Sequence, residues 1–360
     1  MPETKYAVLT EDHINKKIIK EAGAVLRAGG LVAFPTETVY GLGGDALQKE
    51  SSRKIYSAKG RPSDNPLIVH ICQWKAVKKI AVRIPPEAEK LAARFWPGPL
   101  TMILEKADAV PLETTGGLST VAVRMPENRI ALALIEAAGG YVAAPSANLS
   151  GKPSPTLAKH VREDLDGKIE MILDGGAVGI GVESTIVDLT ESRPMILRPG
   201  YITKEMLESV LNTEVDVDMT LLQADSGQAP KAPGMKYRHY APKGELTIVS
   251  GEEKDVTDTI RRLARAKRLA GEIVGIICTD ETEPLYEADS IASVGARTDE
   301  EAIARRLYAI LREFDARNVT CIYSEAFSDK GVGQAVMNRL LKAAGHQILE
   351  ATCPGFCRKI

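Results

Sequence analysis

Residues 59–70, KGRPSDNPLIVH, place Lys59, Arg61, Asn65 and His70 in one short run stiffened by Pro62 and Pro66. The preceding SSRKIYSAKG predicts a helix that ends at Gly60, with Lys59 and Arg61 flanking its exit. Two cations this close repel unless anions separate them. A phosphate chain would do so, met by lysine as a point charge and arginine as a fork; a solvated helix end is the alternative. Asn65 adds an amide donor. His70 falls inside an apolar strand, where a satisfied core histidine is the commoner outcome.

Four further stretches carry polar chemistry. PTETVYGLGGDA (35–46) follows the apolar run LVAF, so Thr36, Thr38 and Tyr40 are expected at a strand's carboxyl end, where α/β sheets take ligands. Gly41, Gly43 and Gly44 would let backbone amides approach a ligand there, although a capped helix start with a glycine turn fits equally well. In TVAVRMP, Arg124 closes an alternating strand with no acid close before it, so a ligand carboxylate is the expected partner. APSANLSGKPSP (144–155) crowds Ser146, Asn148, Ser150 and Ser154 at a strand end, as donors to phosphate or ribose or as an Asx/ST turn. In GVESTIVDL and LRPG, Ser184 and Thr185 open one strand and Arg198 closes the next, so a hairpin would bring them together. The five stretches describe a concave, cationic, hydroxyl-rich pocket with few carboxylates. Such a pocket suits a polyphosphate beside a small zwitterion better than a general acid/base pair. The Walker A, HExxH and GxSxG signatures are absent.

The elements that must position these groups follow from periodicity. A first helix is predicted after a Thr10 cap, with Ile14, Ile18, Ala22 and Val25 on one face and Gly29 at its end. Strands are predicted at LVAFP, PLIVHI, LTMILE, TVAVRM, YVAAP, EMILD, STIVDL and PMILRP, with helices such as PEAEKLAARF and NRIALALIEAAG between them. The hairpin makes the sheet mixed rather than parallel. The expected domains are 1–212 (catalytic), a linker at 213–243 and a smaller Rossmann-like α/β domain at 244–360. The linker's QADSGQAPKAPG reads as flexible, whereas MKYRHYAP reads as a docking anchor or a segment that closes over a ligand. The second domain is expected to have strands at 245–250, 272–278, 290–294 and 318–324 and helices at 253–270, 299–317 and 332–344. In GVGQAVMNRL, Gly331 and Gly333 are read as close helix packing, with an anion at the helix start as the alternative.

The chain has 360 residues with a formal net charge of -2, so a nucleic-acid binder using its whole surface is excluded. Five scattered cysteines point to a reducing, cytoplasmic setting. Cys353 and Cys357, near His346, read as plain thiols rather than half a metal site, and no metal ligand is assigned. MPETKYAVLT does not read as a signal peptide, and no apolar run is long enough to span a membrane.

Taken together, PTETVYGLG, KGRP with NPL, SANLSGKPSPT and STIVD with LRPG resemble the YrdC-like domain of the threonylcarbamoyl-AMP synthases. APGMKYRHYAP and the C-terminal α/β unit are similar to the long, two-domain form of that family. The resemblance implies a YrdC-like mixed twisted sheet followed by a smaller Rossmann-like domain. It also implies condensation of L-threonine, bicarbonate (or CO2) and ATP to threonylcarbamoyl-AMP and pyrophosphate, with Mg²⁺ accompanying ATP. The product would pass to transferase proteins that modify tRNA beside the anticodon, and direct contact with tRNA is left open. In this family's terms, Lys59 and Arg61 are the catalytic cations and, with Asn65, hold the triphosphate. Thr38, His70, Arg124 and Ser184 would bind threonine, with Arg124 on its carboxylate. Thr120, Ala144, Ser146, Ser154 and Arg198 would surround the nucleotide, and Tyr237 from the linker would cover it. Alternatives are an RNA-binding module that grips backbone and shape, and a second nucleotide site in the C-terminal unit. A carbamoyl-transferring maturation protein is disfavoured, because paired CxxC zinc motifs are missing.

Overall fold

The computed structural model describes residues 3–218, 232, 240–351 and 358–359. Two compact units emerge. The first comprises residues 1–150 and 154–237, the second residues 151–153 and 238–360.

The first unit begins with β1 (Lys5–Val8), α1 (Lys16–Arg27), β2 (Val32–Phe34), β3 (Gly41–Asp45), α2 (Lys49–Lys59) and β4 (Ile68–His70). It continues through α3 (Val77–Ile80), α4 (Pro86–Phe95), β5 (Leu100–Glu105), β6 (Thr120–Arg124), α5 (Arg129–Ala137) and β7 (Val142–Ala143). It ends with α6 (Ala158–Leu165), β8 (Met171–Asp174), β9 (Thr185–Asp188), β10 (Met195–Arg198), α7 (Lys204–Leu211) and β11 (Asp216–Val217). Among the described residues the strands form one sheet of eleven, in the order β1-β8-β2-β3-β7-β4-β6-β5-β9-β10-β11. The sheet is mixed. β4 runs parallel to β6 and β5 parallel to β9, whereas β5 with β6 and β9 with β10 are antiparallel.

Because strand side chains alternate between faces, each face can be read from its packing. One face carries Val69, Val121, Val123, Met102 and Val187, covered by apolar side chains of α2, α4, α6 and α7 such as Ile55, Leu91, Val161 and Leu207. The opposite face is divided. Over β8, β2 and β7, the residues Leu173, Phe34 and Val142 pack under Leu26 of α1 and Leu134 of α5. Beyond β7, the same face presents Ile68, Ile103, Ala122, Ile186 and Leu197, clustered with Ala232. His70 lies directly opposite Val142, which establishes that the two halves share a face. Exposing that apolar floor would cost about 1.5–3 kcal/mol for each large side chain. Ala232, wholly buried, packs against it.

Local sequence departs from expectation at two points. The first helix starts at Lys16, because Asn15 Oδ1 accepts the Lys17 and Ile18 amides while Thr10 closes a separate turn on the His13 amide. Its buried face is accordingly Ile19, Ala22 and Leu26 rather than the Ile14–Ile18 stripe. The glycines of GLGGD form strand β3 rather than a ligand turn. A Cβ on Gly43 would stand 2.9 Å from Val142 and 3.0 Å from Phe34, so these positions are small to let β3 lie between its neighbours.

The second unit contains β12 (Glu245–Ser250), α8 (Glu253–Leu269), β13 (Val274–Cys278), β14 (Ser290–Ser293), α9 (Glu300–Ala316) and β15 (Cys321–Glu325). After these come α10 (Gly331–Ala343), β16 (Ile348–Glu350) and β17 (Arg358–Lys359). Its sheet has the order β14-β13-β15-β12-β16-β17, parallel except for the final pair. Ile303, Leu307, Ile310, Leu311 and Phe314 all turn inward from α9. The start of α10 is taken by a carboxylate of the same unit. Glu300 Oε2 accepts the Gly333 amide at 2.9 Å, and a Cβ on Gly333 would meet the Ser328 carbonyl at 2.5 Å. Among the described residues, no helix is long and apolar enough to cross a membrane.

Candidate active site

The open half of the first sheet gathers the polar side chains that the sequence scatters. Register places His70 beside Arg124, Arg124 beside Thr101, Thr101 beside Ile186, and Ile186 beside Arg198. Residues directly opposite one another share a face, so these side chains form a row across five strands at one end of the apolar floor. Thr120 lies on the same face at the other end of β6, four residues or about 13 Å from Arg124. The sheet is mixed, so these groups share no single carboxyl edge. They line a face, while Thr36, Thr38 and Tyr40 follow the carboxyl end of β2 as expected.

Arg124 is buried, and its partner is Glu37. Arg124 NH2 lies 2.7 Å from Glu37 Oε1, with the side chains 5% and 11% exposed. The approach is close but misaligned for hydrogen bonding. Both Glu37 oxygens, together with Arg124 Nε and NH2, have no hydrogen-bond partner among the described residues. The expectation that only a ligand would supply an acid is thus corrected: the acid comes from PTETV, distant in sequence. A second carboxylate joins it, since buried Glu183 accepts the Ser154 hydroxyl at 2.5 Å.

The PTETV loop is rigid. Thr36 Oγ1 donates to the Val39 carbonyl at 2.6 Å and meets Thr38 Oγ1 at 2.9 Å. With the single Thr36 proton engaged, the Thr38 hydroxyl is the donor between them and keeps its own lone pairs for a further partner. The Glu37 and Thr38 carbonyls accept the Ile180 and Gly181 amides at 2.8 and 3.0 Å. His70 is fully buried, edge-on to Phe34, with Nδ1 3.1 Å from the Ile68 carbonyl. Burial, reinforced by the Arg124 charge, pushes its pKa down to about 3, so the ring is neutral in ordinary buffers. Ser184 is held from two sides. Its hydroxyl meets Thr101 Oγ1 at 2.8 Å, Arg198 NH2 donates to that hydroxyl at 3.1 Å, and Arg198 Nε donates to the Ser184 carbonyl at 3.0 Å.

Lys59 is no solvated helix end. It is buried, and Nζ donates to the Ser146 and Asn148 carbonyls, each at 2.5 Å. Arg61 donates to the Asn65 carbonyl at 3.2 Å, to Asn65 Oδ1 at 2.5 Å and to the Pro66 carbonyl at 3.1 Å. Carbonyl and amide oxygens thus surround both cations. The bond to Arg61 uses the Asn65 oxygen, which leaves that residue's amide as a donor. The serine-rich loop closes on itself through Ser146 Oγ to Asn148 Oδ1 at 2.6 Å. It joins the PTETV strand through Ala147 N to Tyr40 O, Leu42 N to Pro145 O, and Tyr40 N to Pro155 O. The Tyr40 phenol is engaged elsewhere, on the Gly176 carbonyl at 2.7 Å. Ala144 donates its amide to Ile68 O at 2.9 Å, at the floor's margin.

All five stretches are thus laced together by direct contacts, the fifth through Gly181 on Thr38 and Glu183 on Ser154, and the Thr101–Ser184–Arg198 group joins the Arg124 row. Thr120 stands apart, lining a cavity of about 520 Å³ with Lys106, Ser119 and Asp188. Tyr237, Cys353 and Cys357 lie outside the described residues. The sequence reading missed Glu37, Thr101 and Glu183. The signal was an acid inside a hydroxyl-rich motif, passed over because its arginine is remote in sequence.

Comparison with known proteins extends over both units. The Sua5/YciO/YrdC family profile, described as telomere recombination, matches residues 24–200. A second profile, described as the threonylcarbamoyl-AMP synthase C-terminal domain, matches residues 202–345. The chain is 49% identical to the threonylcarbamoyl-AMP synthase of Pyrococcus abyssi, over 94% of this chain and 97% of that one. It is likewise 49% identical to the threonylcarbamoyl-AMP synthase of Bacillus subtilis, over 95% and 97%. The crystal structure of P. abyssi Sua5 complexed with L-threonine is similar with a TM-score of 0.91 at 48% identity, covering 97% of this chain and 99% of that one.

Proposed function

Because the chain belongs to the threonylcarbamoyl-AMP synthase family, we infer that it condenses L-threonine, bicarbonate or CO2, and ATP to threonylcarbamoyl-AMP and pyrophosphate. The product serves threonylcarbamoyladenosine formation in tRNA, handed on by transferase proteins. In finer terms the enzyme is a nucleotidyltransferase: a carbamate oxygen attacks the α-phosphate of ATP, and pyrophosphate leaves.

One observation supports this assignment above the rest. A single sheet face carries the Arg124 row at one end of an apolar floor and is bordered by the cation-bearing 59–66 loop on the Ile68 side. In that frame Arg124 takes the threonine carboxylate, with Thr38, His70 and Ser184 around the amino acid. The neutral His70 ring serves as a hydrogen-bond partner rather than a cation. Lys59, Arg61 and Asn65 take the triphosphate. Thr120, Ala144, Ser146, Ser154 and Arg198 border the nucleotide, with Tyr237 closing over it. Charge builds on phosphate oxygens during transfer, so fixed donors and cations contribute more than a nucleophile would. Among the described residues, no cluster of three or more His, Cys, Asp or Glu could hold a metal ion. Mg²⁺ would accompany ATP, coordinated largely by phosphate and water oxygens.

Mass spectrometry of a reaction containing ATP, bicarbonate and threonine tests the assignment, and the expected product is the mixed anhydride. Arg61→Ala should abolish that product while leaving the circular dichroism spectrum intact. Pyrophosphate release that depends on threonine would decide against the RNA-binding reading.

A further inference from the structure

We propose that Glu37 receives the threonine ammonium and takes a proton from it, with Arg124 holding the two charges of the amino acid in register. The proposal rests on the synthase reading and deepens it.

The starting point is a buried ion pair that is poorly satisfied. Buried polar atoms are nearly always hydrogen-bonded, and a carboxylate has room for about four such bonds. Glu37 has none among the described residues, and Arg124 keeps Nε and NH2 unpartnered beside it. A pair serving only to neutralise charge is best aligned as a fork on a carboxylate, whereas this one stands close but askew. Its backbone does not explain the tilt, since Glu37 and Thr38 are pinned to residues 180 and 181. The arrangement leaves N–H groups free for an anion and carboxylate oxygens free for a cation, 2.7 Å apart at their nearest. An α-amino acid zwitterion presents those two charges at a comparable separation.

The chemistry requires such an acceptor. An ammonium has no lone pair and cannot add to carbon. Proton transfer breaks one N–H bond and forms one O–H bond on Glu37, turning a +1/−1 pair into two neutral groups. The amine lone pair then bonds to the carbon of CO2. The nitrogen of that adduct releases its extra proton to solvent, leaving the carbamate anion. Other groups near Arg124 are poorly suited to this step. His70 is buried and stays neutral, Arg198 is a cation bound to Ser184, and Glu183 accepts from Ser154.

The test is full-length Glu37→Gln, which keeps shape and hydrogen-bonding capacity but cannot take the proton. Threonylcarbamoyl-AMP formation at pH 7 should fall about 100-fold or more, in kcat rather than in KM for threonine. The deficit should shrink toward pH 9, where free threonine supplies its own neutral amine. Wild-type kcat, or a deficit of the same size at every pH, would overturn the proposal. If Glu37→Gln fails to fold, Glu37→Asp retracts the carboxylate by one methylene. A reduced kcat that recovers toward pH 9 would then support Glu37, and an unchanged kcat, or a deficit of the same size at every pH, would overturn it. A wild type that makes no adenylate overturns the synthase reading and Glu37 with it; an active wild type beside an unaffected variant overturns Glu37 alone.

Discussion

Each unit of this protein buries a glutamate against an arginine, and the two pairs are built to opposite ends. In the second unit, Glu325 closes β15 at 1% exposure with every oxygen occupied. Oε1 accepts the Thr282 hydroxyl at 2.5 Å and the Tyr286 phenol at 2.8 Å, and Oε2 takes Arg297 NH2. Burial first, and the Glu325 charge second, push the Tyr286 pKa up, so the phenol remains a donor. In the first unit, Glu37 and Arg124 meet without a hydrogen bond between them. The residue types are the same, and saturation makes the difference. A buried carboxylate with both oxygens occupied is a knot in the fold. One whose oxygens have no hydrogen-bond partner among the described residues is available for chemistry.

The largest effect is expected from removing the arginines. Arg124→Ala should lower kcat/KM for threonine about 10³-fold, the order seen when one member of a buried charge pair is lost. Arg297→Ala should leave turnover near wild type, and equal losses in steady-state assays would break the comparison. Next comes stability. Glu325→Ala leaves the Thr282 and Tyr286 hydroxyls without their carboxylate, while the partly exposed Arg297 keeps Glu253 and Thr279, and should cost about 1–3 kcal/mol in denaturant unfolding of the second unit. Glu37→Gln leaves the buried Arg124 without its counter-charge and should cost about 3–5 kcal/mol, the larger of the two. The third effect depends on pH. His70 titrates near 6.5 when unfolded and near 3 when folded, so below pH 6.5 the unfolded chain binds the extra proton. Stability contributed by the neutral ring is complete above pH 6.5 and declines as pH falls toward 3, by up to about 1.4 kcal/mol per pH unit. Unfolding titrations at pH 4, 5 and 6 should show a shallower slope for His70→Asn. Parallel slopes would place the acid sensitivity elsewhere.

How much was legible in advance follows the range of the interactions. The α9 stripe and the β9–β10 hairpin obey local periodicity, and both stand where the sequence puts them. The start of α1 was misjudged because Thr10 and Asn15 are both good caps, and only packing on the sheet chose between them. The GLGGD glycines were misread because an extended backbone squeezed beside Phe34 leaves the same trace in sequence as a turn around a ligand.

Taken alone, the amino-acid sequence determined the α/β character, the family motifs and the identities of Lys59, Arg61, Asn65, His70, Arg124, Ser184 and Arg198 as groups able to do chemistry. These follow from residue type, spacing and periods of two and 3.6, all of which are local. The tertiary structure decided which groups meet: Glu37 with Arg124, Lys59 with the Ser146 and Asn148 carbonyls, and a row of side chains across five strands on the half of the face that α1 and α5 leave to Ala232. Strand order and register made those choices. They are set by which apolar faces can be buried together, a property of the whole sheet that no single motif contains.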